Sequence, residues 1–225
     1  MGVGRFDRRN LRERCVEYLR HEIVSGALQP GEHIKEAQLS EALGISRGTL
    51  REALRSIENE GLIVNDGKGH THVRTLSAAE IADVFEVRNA LEILAASKLT
   101  RSPRRAEFAD LLESKIKPLQ RQDLGFGERI EFDLGFHAYL CELTGNSTLS
   151  AAWRQLIGQI RMMIIATGPE RAMGRMRYEE HVPIVDAIRS GDVDTVQETL
   201  TSHMGDFSQR YVSDALAKTT SSHPS

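Results

Sequence analysis

Leu28 to Val73 reads LQPGEHIKEAQLSEALGISRGTLREALRSIENEGLIVNDGKGHTHV, and the organisation of the whole chain follows from this stretch. Glu36 to Leu43 has the composition of a short helix, and Gly44 stops it where a glycine takes up a left-handed backbone cheaply. Ser46 is placed to cap a further helix that runs to about Asn59 and ends at Gly61. Two helices joined by Gly44-Ile45-Ser46 form a helix-turn-helix pattern. Behind them, Leu62-Ile63-Val64 and His72-Val73-Arg74 have strand composition, and Asp66-Gly67 between them signals a hairpin. Upstream, Leu11, Cys15, Leu19 and Ile23 recur every fourth residue, a helical stripe ended by Gly26 and the Gln29-Pro30-Gly31 turn. Helix, helix, helix, hairpin is the order of a winged helix-turn-helix, expected over residues 1–76.

Residues 77–217 show no convincing strand pair and are expected to form an all-helical antiparallel bundle, giving a mainly α protein with two domains. Ser77-Ala78-Ala79-Glu80 is a capping box that opens a helix through about Thr100. Ser102-Pro103 reads as a cap with proline at the first helical position, opening a helix through about Gln122. Further helices are expected from Glu128 to Leu143, from Thr148 to Ala166, up to Ser190, and from an Asp192 cap to about Leu216. These six helices, joined by mostly short connections, imply antiparallel neighbours. Residues 218–225, polar and rich in Ser and Thr, read as a disordered tail.

The chain has 225 residues with 40% hydrophobic and 27% charged composition, ordinary for a globular protein. Its longest apolar run, Met162 to Ala166, is far shorter than the roughly 20 residues of a membrane helix. The basic N-terminus has no apolar segment, so it is not a signal peptide. Cys15 and Cys141 build no disulfide framework, and a cytoplasmic location with no membrane partner is the expectation. The net charge of −3 would argue against nucleic acid, but it is unevenly distributed: residues 1–76 carry +1 and residues 77–225 carry −4. DNA requires a basic face rather than a basic chain.

Arg47, Arg51 and Arg55 supply such a face. At a spacing of four they share one side of the third helix, and Arg47 lies in its first turn, where a recognition helix meets base edges. An arginine fork pairs with guanine or braces a phosphate. Ser46 and Thr49 add hydroxyls at the same end, and Lys68 at the hairpin tip can reach a groove or a phosphate. A merely solvated basic helix face is the plain alternative.

A second constellation lies in the helical part. Asp133 and His137 are one turn apart on one helix, and His181 and His203 each fall inside a later helix. A carboxylate with three imidazoles suits a first-row divalent metal such as Zn, Ni, Mn or Fe, with positions left open for water or an anion. Taken singly, each of these residues is also an ordinary polar residue on a helix surface.

Leu28 to Val73 resembles the DNA-binding domain of GntR-family bacterial transcription regulators, through Pro30-Gly31, Leu43-Gly44, Ser46-Arg47, Leu50-Arg51-Glu52-Ala53-Leu54, Glu60-Gly61-Leu62 and the Gly67-x-Gly69 turn. The resemblance implies that Arg47 and Arg51 contact DNA and that the wing tip enters the minor groove. It departs from the family pattern at Ala37, where some members carry an arginine, and at His70-Thr71-His72. The helical part, with FEVRNALE, FDLGFHAYLCELTGN and two later histidines, is similar to the FCD effector domain of the FadR subfamily. That similarity implies that Asp133, His137, His181 and His203 hold a metal inside the bundle and that Arg88 lies nearby, suited to a carboxylate effector. A salt bridge between Arg88 and Glu92, one turn on, is the alternative.

The resulting expectation is a homodimeric regulator, not an enzyme, that binds a pseudo-palindromic operator and represses a catabolic operon until a small carboxylic acid binds beside the metal. Dimerisation follows from the weakness of one wing and one helix on a single half-site. The rivals are a metal-dependent hydrolase and a DNA-binding regulator with a purely structural metal.

Overall fold

The computed structural model describes residues 8–205. The expected disordered tail, 218–225, and the end of the last helix lie outside the described residues. The chain divides into two compact units, one reaching to Thr75 and one starting at Leu76.

In the first unit, α1 (Arg8–Ser25) buries Cys15, Leu19 and Ile23, the stripe visible in the sequence, while Leu11 at its start stays exposed. It packs against α3 (Arg47–Asn59), which turns Leu50, Ala53, Leu54 and Ile57 inward. Arg20 grips Glu60 with two hydrogen bonds of 2.9 and 2.7 Å where these helices meet. Between them lies α2 (Glu36–Ala42), which packs on α3. Two glycines shape the connections: Gly44 and Gly61 sit at φ of +63° and +75°, where a side chain would be strained. The Ser46 hydroxyl caps α3 by accepting from the Thr49 amide at 3.1 Å.

The hairpin forms from β2 (Ile63–Asn65) and β3 (Thr71–Val73), within one residue of the expected strands. A strand absent from the sequence reading, β1 (His33–Ile34), adds to the other side of β3, giving the antiparallel order β1-β3-β2. Two residues are too few to show a period. Strand β1 exists because Gly31, at φ +84°, turns the chain back so that its amide bonds the Val73 carbonyl at 2.9 Å.

The second unit is helical. Helix α4 (Ala78–Thr100) opens on the expected capping box: Ser77 Oγ accepts from the Glu80 amide at 3.2 Å, and Glu80 returns to the Ser77 amide at 2.8 Å. Helix α5 (Arg105–Ile116) starts later than expected, because Ser102 and Pro103 fold into a turn with the Ser102 hydroxyl accepting from the Arg104 amide. It also ends earlier. Pro118 offers no amide hydrogen, and Lys117–Gln120 tightens into a 3₁₀ turn. Then follow α6 (Phe126–Glu142), α7 (Ser147–Thr167), α8 (Pro169–Ala172), α9 (Tyr178–Ser190) and α10, described over 193–205. The single turn α8 makes seven α-helices in this unit among the described residues, where six were expected. Helix α6 packs on α4, α5 and α7, and α9 packs on α4 and α5, around Trp153, Phe136, Leu112, Ile116 and Ile130. Among the described residues, no helix is long and apolar enough to cross a membrane.

Candidate functional site

In the first unit the apolar face of α3 is buried, so the arginines at the other side of the same helix face solvent. Arg47, Arg51 and Arg55 are all exposed. Arg47 makes no hydrogen bond or ion pair among the described residues. Arg51 is 68% exposed yet held by its Nε, which donates to Glu36 Oε2 at 2.9 Å across the helix-turn-helix. That contact fixes the arginine's direction and leaves the rest of its fork outward. The Ser46 and Thr49 hydroxyls lie 2.9 Å apart, so they serve the cap first. Lys68 is exposed at the tip of a turn built by Asp66, whose Oδ1 accepts from the Lys68 and His70 amides at 2.8 and 3.1 Å. The His70 side chain, donating to the Asp66 carboxylate, holds that acid well down, at about 2.

In the second unit the histidines named from the sequence come together. Ligand nitrogens of His137 on α6, His181 on α9 and His203 on α10 all lie within 4.8 Å of one another. Their ring centroids are 5.1 to 5.4 Å apart. Asp133, one turn before His137, places Oδ1 3.0 Å from His181 Nε2, close but off the line a hydrogen bond requires. His137, His181 and Asp133 are all buried.

Second contacts set which nitrogen each ring offers. His181 Nδ1 lies 2.8 Å from the Arg177 carbonyl, which can only accept, so Nδ1 carries the hydrogen. His137 Nδ1 lies 2.6 Å from Glu92 Oε2 in the same sense. Both rings therefore turn Nε2 toward the shared centre, and neither Nε2 has a hydrogen-bond partner among the described residues. Buried polar atoms left unpaired cost about 1–3 kcal/mol each, so a pair of them facing one point marks a place for a ligand.

Glu92 is the residue whose part the sequence did not disclose. It accepts from Arg88 Nε at 2.7 Å, from Trp153 Nε1 at 3.0 Å and from His137, with no exposure at all. The Arg88–Glu92 ion pair weighed from the sequence is thus real, and it is one edge of a larger network. Burial alone would raise the Glu92 carboxyl; the neighbouring His137 and Arg88 charges overcome it and hold the acid ionised. Burial would likewise raise Asp133, but contact with His181 brings it down to about 2. Burial keeps His137 and His203 below the usual imidazole range. For His181 burial acts in the same direction, yet the Asp133 carboxylate beside it turns the net shift upward.

Arg88 stays partly available, because its buried Nη2 has no hydrogen-bond partner among the described residues. It lines a small, partly open cavity together with Asp133, His137 and His203, walled by Phe85, Ile160 and Met163. Arg161 is held away from this cavity, pairing through both arms of its fork with Glu131, the Nη2 arm at 3.1 Å.

Residues 11–73 match the model of the gntR family of bacterial regulatory proteins, and residues 83–206 match the FCD domain. The Nta operon transcriptional regulator of Aminobacter aminovorans is 27% identical over 80% of this chain and 85% of that protein. The gluconate operon transcriptional repressor of Bacillus licheniformis is 26% identical over 84% of this chain and 79% of that protein. Among solved structures, E. coli McbR/YncC superposes with a TM-score of 0.62 at 19% identity, covering 89% of this chain and 98% of that one, which shows a shared fold. The N-terminal unit and the helical unit are thus those of a DNA-binding transcriptional regulator, and the chain belongs to the gntR family with an FCD domain.

Proposed function

We propose that the FCD domain of this regulator holds a divalent metal on His137, His181, His203 and Asp133, and that a small carboxylate binds there to control the DNA-binding unit. The observation that carries this reading is the convergence of three imidazole nitrogens within 4.8 Å, with the buried Nε2 atoms of His137 and His181 making no hydrogen bond among the described residues. Charge points the same way. With the imidazoles neutral, as metal ligation requires, Glu92 and Asp133 against Arg88 sum to one negative charge; without a metal, the upward shift of His181 lets its proton offset Asp133 instead. A divalent cation reverses the sign and leaves the site one positive charge, which a monocarboxylate balances. When bound, the metal supplies a Lewis-acidic position for one carboxylate oxygen. Arg88, through its unpaired Nη2, suits the other oxygen with a charge-assisted contact. A purely structural metal would account for the imidazoles but not for an unpaired guanidinium nitrogen in a cavity wall. The hydrolase reading falls with the family, whose members regulate transcription.

The protein works as a homodimer in the cytoplasm, since one helix and one wing per half-site give little affinity alone. We read it as a repressor by analogy with the gluconate operon relative. Elemental analysis of untagged protein checks the metal: His181→Ala should carry about one ion per chain fewer than the wild type. An ion count in that variant equal to the wild type's contradicts the assignment. Removal by a chelator should also lower the melting temperature, because a ligand at 100 times its Kd stabilises the folded state by about 2.7 kcal/mol.

A further inference from the structure

A second group of imidazoles lies in the DNA-binding unit. His33 on β1 and His72 on β3 are direct partners across the antiparallel ladder, so their side chains leave the same face of the sheet. The His33 ring centroid is 5.0 Å from that of His72 and 5.3 Å from that of His70, and those of His70 and His72 are 6.5 Å apart. A carboxylate joins them: Asp66 Oδ2 is 3.0 Å from His70 Nδ1 and 4.0 Å from His72 Nε2. Three imidazoles and one carboxylate are the donor set of a first-row divalent site. Two rings on one tetrahedral ion with Zn–N bonds of about 2.0–2.1 Å have centroids about 5 Å apart, close to two of the three spacings here.

We propose that the wing carries its own divalent metal site, made by His33, His70, His72 and Asp66, for zinc or nickel. Among the described residues only the buried triad already has its ligand atoms within 4.8 Å of one another, so the wing set must rotate to close on an ion. Exposure makes that rotation cheap. His70 and His72 side chains are 54% and 32% exposed, and an exposed imidazole changes rotamer on the picosecond to nanosecond scale. The Asp66–His70 hydrogen bond is exchanged for metal bonds in the process. Closure ties β1 to the hairpin far along the chain, and it sets two positive charges beside Lys68, which Asp66 and His70 flank at two residues on either side. Such a wing is stiffer and more attractive to a phosphate backbone.

The test is zinc titration of the untagged full-length protein against a chromophoric chelator, in the wild type, His72→Gln, His33→Gln and His181→Ala. Two zinc ions per chain are expected in the wild type and one in each wing variant, whose substitutions lie on the surface and spare the fold. His181→Ala is expected to keep one, which His72→Gln added to it removes. Wild-type stoichiometry in both His72→Gln and His33→Gln overturns the wing site. The wing and the buried site use separate residues, so an unchanged count in His181→Ala bears on the buried site alone.

Discussion

Glu92 Oε2 lies 2.6 Å from His137 Nδ1, and neither side chain has any exposure to solvent. This contact joins the ring proposed to hold a metal to α4, and the other Glu92 oxygen takes the Arg88 Nε and Trp153 Nε1 hydrogens. Glu92 therefore decides which His137 nitrogen faces the centre, and it couples the guanidinium expected to meet the effector to the ring expected to meet the metal.

Glu92→Gln retains the shape and removes the charge. It leaves Arg88 without its counter-ion and lets the amide present a hydrogen where His137 needs an acceptor. Metal affinity should fall by about 10–100-fold, the usual cost of losing such a support. Breaking the buried pair should also destabilise the domain by about 3–5 kcal/mol. Chelator competition and denaturant unfolding of the same variant read both. A variant with wild-type metal affinity would show that the contact does not orient the ring.

On α3, Arg47 is exposed and unpaired, whereas Arg51 is already braced by Glu36. Arg47→Ala should cost about 1–3 kcal/mol at the cognate operator and relax base preference there. Lys68→Ala should weaken all sequences alike and reduce the salt dependence by about one unit. Electrophoretic shifts over a salt series separate the two. Unchanged operator affinity for Arg47→Ala would mean that α3 meets DNA with another face.

The wing turn gives a pH signature. The folded pKa of Asp66 is depressed to about 2 by the His70 side chain and by backbone amides. A depressed carboxyl stabilises the folded turn above its unfolded pKa, about 3.9, and that contribution disappears as pH falls through about 2. Carboxyl carbon shifts followed by NMR should place the Asp66 titration well below that of an unperturbed aspartate. A midpoint near 4 would show that the turn does not hold the acid in solution.

Much of this arrangement is legible in the sequence because it is punctuated locally. Gly44 follows the end of α2, Ser46 and Gly61 bound α3, and Ser77 with Glu80 starts α4, since caps act over three or four neighbours. The three histidines are legible as a set only through the similarity to FCD domains, since Asp133 and His137 one turn apart are by themselves an ordinary pair on a helix surface. What the sequence conceals depends on distant partners. Strand β1 exists only through its register with β3, some forty residues on. Glu92 reads as the one-turn partner of Arg88, which it is, but its other oxygen reaches His137 45 residues away, and nothing nearby signals that. The early end of α5 comes from Pro118, which has no amide hydrogen to continue the helix.

The central claim is that the cavity beside Arg88 receives a small carboxylate whose binding is felt by DNA. Binding can act on the DNA-binding unit only if acid and operator are thermodynamically coupled, and coupling of about 1–3 kcal/mol changes affinity roughly 5- to 150-fold. The direct measurement is calorimetry of carboxylate binding to metal-loaded protein with and without operator, in the wild type and in Arg88→Ala. The account predicts a carboxylate affinity that differs between the two conditions by at least about fivefold, and binding weakened in Arg88→Ala while operator affinity without the acid is preserved. Identical carboxylate affinity in the presence and absence of operator would contradict it.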